Sequence, residues 1–224
     1  MMKKLDRSLA NTPACLGNLS YTTHSWQSMH KRGKGRIKQV WAEIDKFQER
    51  FCVYCEGDAF RGKYTGHIEH FFDKGSQQNK PLTFDWNNLF GCCPSTSHCG
   101  HYKDAELPGG IKRVYNSTLL LKPDIDDPDE YLQFLPSGEL KAKQGISEDK
   151  EKRATETIIA LNLRAPSLIS ARKNQIERYQ EQVNSLMDLL VELDEDAWEE
   201  YEEIKQQATK VAYRTAIKHA VQWV

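Results

Sequence analysis

The sequence predicts an α+β protein, with a small zinc-stabilised module embedded in a mainly α-helical chain. Three observations point there. Five of the six cysteines fall between positions 52 and 99. Apolar residues recur at helical spacing over 36–50 and again from 147 onward. Between those stretches lie short apolar runs broken by Pro-Gly-Gly, Lys-Pro-Asp and Pro-Ser-Gly turn signals.

Residues 1–30 are rich in Ser, Thr, Asn and Gly, so no regular element is expected there. Cys15 reads as a lone buried thiol. A basic, glycine-broken stretch follows from His30 to Lys38, suited to a phosphate backbone through counterion release. Ile37, Val40, Trp41, Ile44 and Phe47 share one face of a helix over 36–50. Residues 51–104 read as turns, two short strands and a short helix. Strands are expected at Val114–Leu121 and Tyr131–Leu135. Ser147, followed by Glu148 and Asp149, caps a helix, and Pro166 suits the first turn of the next. Ile176, Tyr179, Val183, Leu186, Leu190 and Leu193 step three and four residues apart, a coiled-coil-like seam. That seam either packs on the 36–50 helix or docks a partner. Asp194 caps a last helix carrying Trp198, Tyr201, Ile204, Ala208, Val211 and Trp223. The expected organisation is an arm and helix over 1–50, a module over 51–113, and a connecting and helical region over 114–224.

The net charge is −1, but residues 1–113 carry +6 and residues 114–224 carry −7. A basic first half suits a polyanion, and an acidic second half suits a protein partner or plain solvation. No apolar run approaches the roughly 20 residues of a membrane span. The basic start has no apolar stretch behind it, so a cytoplasmic protein is expected. In a reducing compartment clustered thiols bind metal more often than they form disulfides.

Cys52-Val53-Tyr54-Cys55 is a C-x-x-C pair, and Cys92, Cys93 and Cys99 lie downstream. Two such half-sites fit a structural zinc ion held by Cys52, Cys55, Cys93 and Cys99, with Cys92 as the alternative to Cys93. His98, beside Cys99, is a competing ligand candidate, with a solvated surface position as its expected role. The competing reading is a redox pair at Cys52 and Cys55.

Between the half-sites run Gly66-His67-Ile68-Glu69-His70-Phe71-Phe72 and Asp85-Trp86-Asn87-Asn88-Leu89-Phe90-Gly91-Cys92-Cys93, then Cys99-Gly100-His101-Tyr102-Lys103-Asp104. This order of pieces resembles the HNH endonuclease family. Asn88 stands five residues before Cys93, the family's spacing, which favours Cys93 over Cys92. The resemblance implies a ββα-metal (His-Me finger) module. In it His70 is the general base, Asn88 pins the loop and orients His70, and Glu69 with His101 holds a catalytic divalent ion such as Mg²⁺. The residue types suit the chemistry, since a neutral imidazole can take a proton from water at physiological pH and a cation can stabilise a leaving oxygen. Two departures stand out. Glu69 replaces the family's usual Asp, and Gly100 separates Cys99 from His101. Lys103 is expected on phosphate, His67 as a further ligand or orienter, Asn87 as a turn residue, and Asp73 and Asp85 as solvated acids.

Cys-Val-Tyr-Cys-Glu, Ile-Glu-His-Phe, Asp-Trp-Asn-Asn-Leu-Phe and His-Cys-Gly-His-Tyr-Lys-Asp resemble one branch more closely: the effector nucleases of retron and Septu anti-phage systems. Asp129–Phe134, Ser137-Gly138 and Ala160–Leu163 extend that resemblance over most of the chain. It implies a toxic effector acting with a PtuA-type ABC/SMC-like ATPase and, in retrons, a reverse transcriptase with its msDNA. The substrate expected by default is DNA, with RNA such as tRNA also open to attack by water. The alternatives are a non-catalytic zinc module that binds nucleic acid or protein, and a redox or metal-sensing regulator.

Overall fold

The computed structural model describes residues 3–30, 35–62, 65–192 and 194–224. Lys31 to Lys34 of the basic stretch and Leu193 of the seam lie outside the described residues. The N-terminal arm has no long element, only 3-10 turns at Arg7–Leu9 and Trp26–His30. It is nonetheless tied down. The Arg7 guanidinium pairs with Asp124 at 2.7 Å, donates to the Trp86 and Leu89 carbonyls, and lies over the Phe47, Trp86 and Phe90 rings.

Helix α1 spans Arg36–Gln48 and buries Val40, Trp41, Ile44 and Phe47, the face its spacing predicts. Gln48 is also buried. Its amide donates to the Phe51 and Gly91 carbonyls and accepts from the Gly91 N–H, which replaces hydrogen bonds a lone hairpin would lack. A side chain at Gly91 would strike the Trp41 ring, so the strand lies flat on α1.

Strand β1, His67–His70, pairs antiparallel with β2, Leu89–Cys92, placing His67 opposite Cys92 and His70 opposite Leu89. The short helix α2, Cys99–Lys103, follows. Two small hairpins come next: β3, Glu106–Leu107, with β4, Ile111–Lys112, and β5, Leu132–Phe134, with β6, Leu140–Ala142. The strand expected at Val114–Leu121 does not form, whereas the one expected at Tyr131–Leu135 forms as β5. Residues 114–121 form turns because α3 side chains take their N–H groups: Asn116 donates to Glu156 and Leu121 to the Thr157 hydroxyl.

Helix α3, Glu148–Ala160, starts at the Ser147 cap. Helix α4, Pro166–Val191, starts at its proline and buries Ile176, Tyr179, Val183, Leu186 and Leu190. The Asp194 side chain caps α5, Glu195–Ala208. The expected last helix is then broken. Tyr213 adopts φ 62°, its N–H meets the Glu56 carbonyl, and α6 runs from Arg214 to Ala220. The break lets the buried Glu56 carboxylate accept from the Thr215 N–H and hydroxyl, at 2.9 and 2.7 Å. The α4 seam packs against α5 and α6 rather than on α1. One continuous buried cluster joins the arm, the cysteine-rich segment and the C-terminal helices. Among the described residues, no helix is long and apolar enough to cross a membrane.

Candidate metal centre and catalytic cleft

Cys52 and Cys55 sit on a tight turn before β1. Cys93 follows β2, and Cys99 opens α2 in the left-handed region, φ 64°. All four are buried, and their sulfurs lie within 4.8 Å of one another. A tetrahedral ion with bonds of ~2.3 Å needs sulfurs about 3.8 Å apart, and Cys55 and Cys93 stand 3.9 Å apart. The Tyr54 and Gly57 N–H groups donate to the Cys52 and Cys55 sulfurs at 3.5 and 3.4 Å, which favours thiolates. Burial alone would raise the Cys52 thiol, but hydrogen bonds from the neighbouring thiols hold it well below its ordinary value.

Four thiolates around a divalent ion leave a net negative charge in the core. The fold supplies a counter-charge in Arg172 of α4, which is fully buried. Its Nη1 donates to the Leu163 carbonyl, its Nε and Nη2 have no hydrogen-bond partner among the described residues, and its charge acts on Cys55 and Cys99. The turn it grips also accepts the Cys99 N–H at Leu161. The set therefore fits a metal such as zinc. Cys92 stands outside it, 3.7 Å from the Cys52 sulfur. His98 departs from its expected solvated role. It is buried, with Nδ1 3.1 Å from the Cys99 sulfur.

The hairpin β1–β2 and α2 border an open cleft of about 440 Å³, lined by His67, Glu69, His70, Lys74, Gly100 and His101 among others. The expected site residues therefore meet, apart from Asn88, which lies behind them. His70 is 2% exposed. Its Nε2 lies 3.1 Å from the Thr83 carbonyl, which can only accept, so Nε2 carries the proton and Nδ1 keeps a lone pair. The Trp26 ring meets His70 edge-on at 4.4 Å. Burial and the Lys74 charge push the imidazole down to about 4.

Glu69 is buried, and three side chains hold its carboxylate. Tyr54 donates to Oε1 at 3.1 Å, Lys103 sits 3.1 Å from the same oxygen, and His67 Nε2 lies 3.3 Å from Oε2. Burial opposes ionisation, but the Lys103 ammonium and His67 bring this carboxyl down to about 2. Any side chain at position 100 would collide with the Glu69 carboxylate. The two departures noted in the sequence are thus one: the longer acid needs the space that Gly100 leaves. His101 is exposed, and its ring stacks on His67 with centroids 3.9 Å apart. Burial and the neighbouring His67 lower its imidazole.

Asn88 works on the backbone. Its Oδ1 accepts from the Phe72 N–H at 2.7 Å, and its amide donates to the Phe72 and Leu82 carbonyls. It closes the 71–88 loop and so fixes the end of β1 where His70 sits, but it does not touch that ring. Lys103 corrects the expectation of a phosphate contact. It is 1% exposed and donates to the His70 and Phe71 carbonyls and to Asp104. Burial works against its charge, yet Glu69 and Asp104 hold the ammonium above its ordinary value. Asn87 lies in a 3-10 turn, as expected, which Asp85 caps. Asp73 accepts from the Gly75 N–H and pairs with Lys112.

Sequence reasoning missed Trp26, Tyr54, Asp104 and Arg172. Tyr54 lies inside the C-x-x-C pair, and a buried aromatic hydroxyl seeks a partner. Trp26 and Arg172 reach the site only through long-range packing and leave no local signal. No family model matches the chain, and no curated protein matches it.

Proposed function

We propose that the chain is a metal-dependent HNH endonuclease whose ββα-metal module is clamped by a structural zinc ion on Cys52, Cys55, Cys93 and Cys99. The observation that carries this reading is the state of His70. Its tautomer is set by Thr83, its ring is uncharged at physiological pH, and it borders a cleft beside Glu69 and His101. Water placed in that cleft loses a proton to His70 Nδ1 as its oxygen attacks phosphorus. The bond to the departing sugar oxygen then breaks, and that oxygen takes a proton from solvent. A divalent ion at Glu69, with His101 at its margin, would supply charge stabilisation for the phosphate and the leaving oxygen. Lys103 keeps Glu69 ionised for that purpose, and Asn88 keeps the strand end in register.

The resemblance to retron and Septu effectors supports a defence role with a PtuA-type ATPase, a reverse transcriptase and msDNA. DNA is the first substrate to test, because attack by water needs no 2′-hydroxyl. RNA, tRNA included, is the second. The test incubates the full chain, with and without the ATPase, with labelled DNA and RNA in Mg²⁺, Mn²⁺ or Zn²⁺. Cutting that stops with chelator supports the reading; no cutting of either polymer under any of these conditions refutes it.

A further inference from the structure

Cys92 and His67 are metal-binding side chains that neither the four-cysteine set nor the His70 constellation uses. They face each other across the hairpin, and β-strand alternation puts Glu69 on the same face as His67. One donor atom each from His67, Glu69 and Cys92 lies within 4.8 Å of the others. Glu69 divides its work here. Oε1 faces Tyr54 and Lys103, while Oε2 faces His67. Cys92 is fully buried, and its sulfur accepts the Gly100 N–H at 3.4 Å. The His67 Nδ1 is buried and has no hydrogen-bond partner among the described residues.

We propose that His67, Glu69 and Cys92 form a second metal site, distinct from the four-cysteine set, that takes a thiophilic ion such as Zn²⁺ rather than Mg²⁺. It rests on the endonuclease reading only in naming the cation of that cleft and its ligands. An imidazole, a carboxylate and a thiolate suit zinc or cobalt, whereas magnesium selects all-oxygen donors. His67 and Glu69 line the cleft and Cys92 lies behind them, so an ion on these three would have its fourth position filled from the cleft, the layout of a catalytic zinc site. Binding releases the Cys92 proton to solvent. The geometry also separates His67 from His101 as ligands. Two imidazoles that share an ion must both hold it in their ring planes. Rings 3.9 Å apart and inclined by only 22° have no such common point beside them. His67 is the ring already in contact with Glu69; His101 packs over its face.

The test counts metal and reads its ligands on the full chain. Elemental analysis after zinc loading and desalting is expected to give two ions per chain for the native sequence. His67→Ala and Cys92→Ser should each retain one, with the second bound at least about tenfold more weakly. His101→Ala should retain two. Substitution with Co²⁺ reports folding of the four-sulfur site through its intense thiolate charge-transfer band, which both variants should keep. One ion per chain in the native protein, or unchanged second-site affinity in His67→Ala, overturns the proposal. A variant that loses the cobalt band would be replaced by His67→Gln, which keeps the size of the side chain and must still weaken the second site. If nucleic acid is cut although His67→Ala binds two ions as before, this proposal fails and the nuclease reading stands. If two ions bind as described but nothing is cut, the metal site stands and the nuclease reading fails.

Discussion

Glu69 and His70 are neighbours on β1, and the Lys103 ammonium reaches across from α2 to the Glu69 carboxylate and the His70 carbonyl. His70 is kept uncharged by burial and by Lys74, at about 4 against an ordinary 6.5. A base must be deprotonated to act, so the acid limb of kcat/KM against pH should fall near 4 to 5, not at 6.5. The stability sign is the same. Between 6.5 and about 4 the unfolded chain binds a proton at His70 that the folded chain excludes, so stability falls as pH drops through that window. Urea titrations at pH 7 and 5 check this, with His70→Gln expected to flatten the difference. Glu69 and Gly100 form a second coupled pair. Gly100→Ala should displace the carboxylate and lower turnover strongly, while shortening the acid in Glu69→Asp with Gly100→Ala should restore part of the loss. The double-mutant cycle on cleavage rate measures that coupling, and additive losses would show that the two residues are independent. The sequence displayed both departures but not their link, because the contact joins a strand to a helix thirty-one positions away.

The elements that were legible in advance are those with a local cause. The α1 face, the Ser147 and Asp194 caps and Pro166 at the start of α4 follow from spacing or capping chemistry, while a hairpin followed by a short helix was what the family resemblance implied. What was not legible depends on distant partners. Residues 114–121 have strand-like composition, yet their N–H groups go to Glu156 and Thr157 of α3. The last helix breaks at Tyr213 because the buried Glu56 carboxylate requires the Thr215 N–H. Lys103 had the composition of a phosphate contact and instead fastens α2 beneath β1. Asn88 belongs to this scale too. Its three hydrogen bonds close the 71–88 loop. Asn88→Ala leaves buried backbone groups unpaired, so it should lower stability by about 2 kcal/mol in urea unfolding and lower the cleavage rate through misplaced His70. An unchanged transition midpoint would remove Asn88 from its clamping role.

Across the whole molecule the four-cysteine frame is the joint on which the rest turns. It connects the C-x-x-C turn, the end of β2 and the start of α2, and Arg172 places a buried cation from α4 behind it. Chelation should therefore do more than free the cysteine-rich segment: it removes the charge that Arg172 opposes and loosens the α4 packing as well. Hydrogen exchange is expected to rise in both 52–103 and the first half of α4 on metal removal; a rise confined to 52–103 would show that the helices stand alone. α5 and α6 cover the α4 seam, while Leu189 and Val191 near the end of α4 stay exposed.

On the proposed reading, the His70 imidazole takes the proton from an attacking water. The most direct measurement compares single-turnover cleavage by the native chain and by His70→Ala, with the partner ATPase and at matched zinc content. A fall of roughly a hundredfold to ten-thousandfold in rate with metal content unchanged is the predicted result. Equal rates in the two proteins would contradict it.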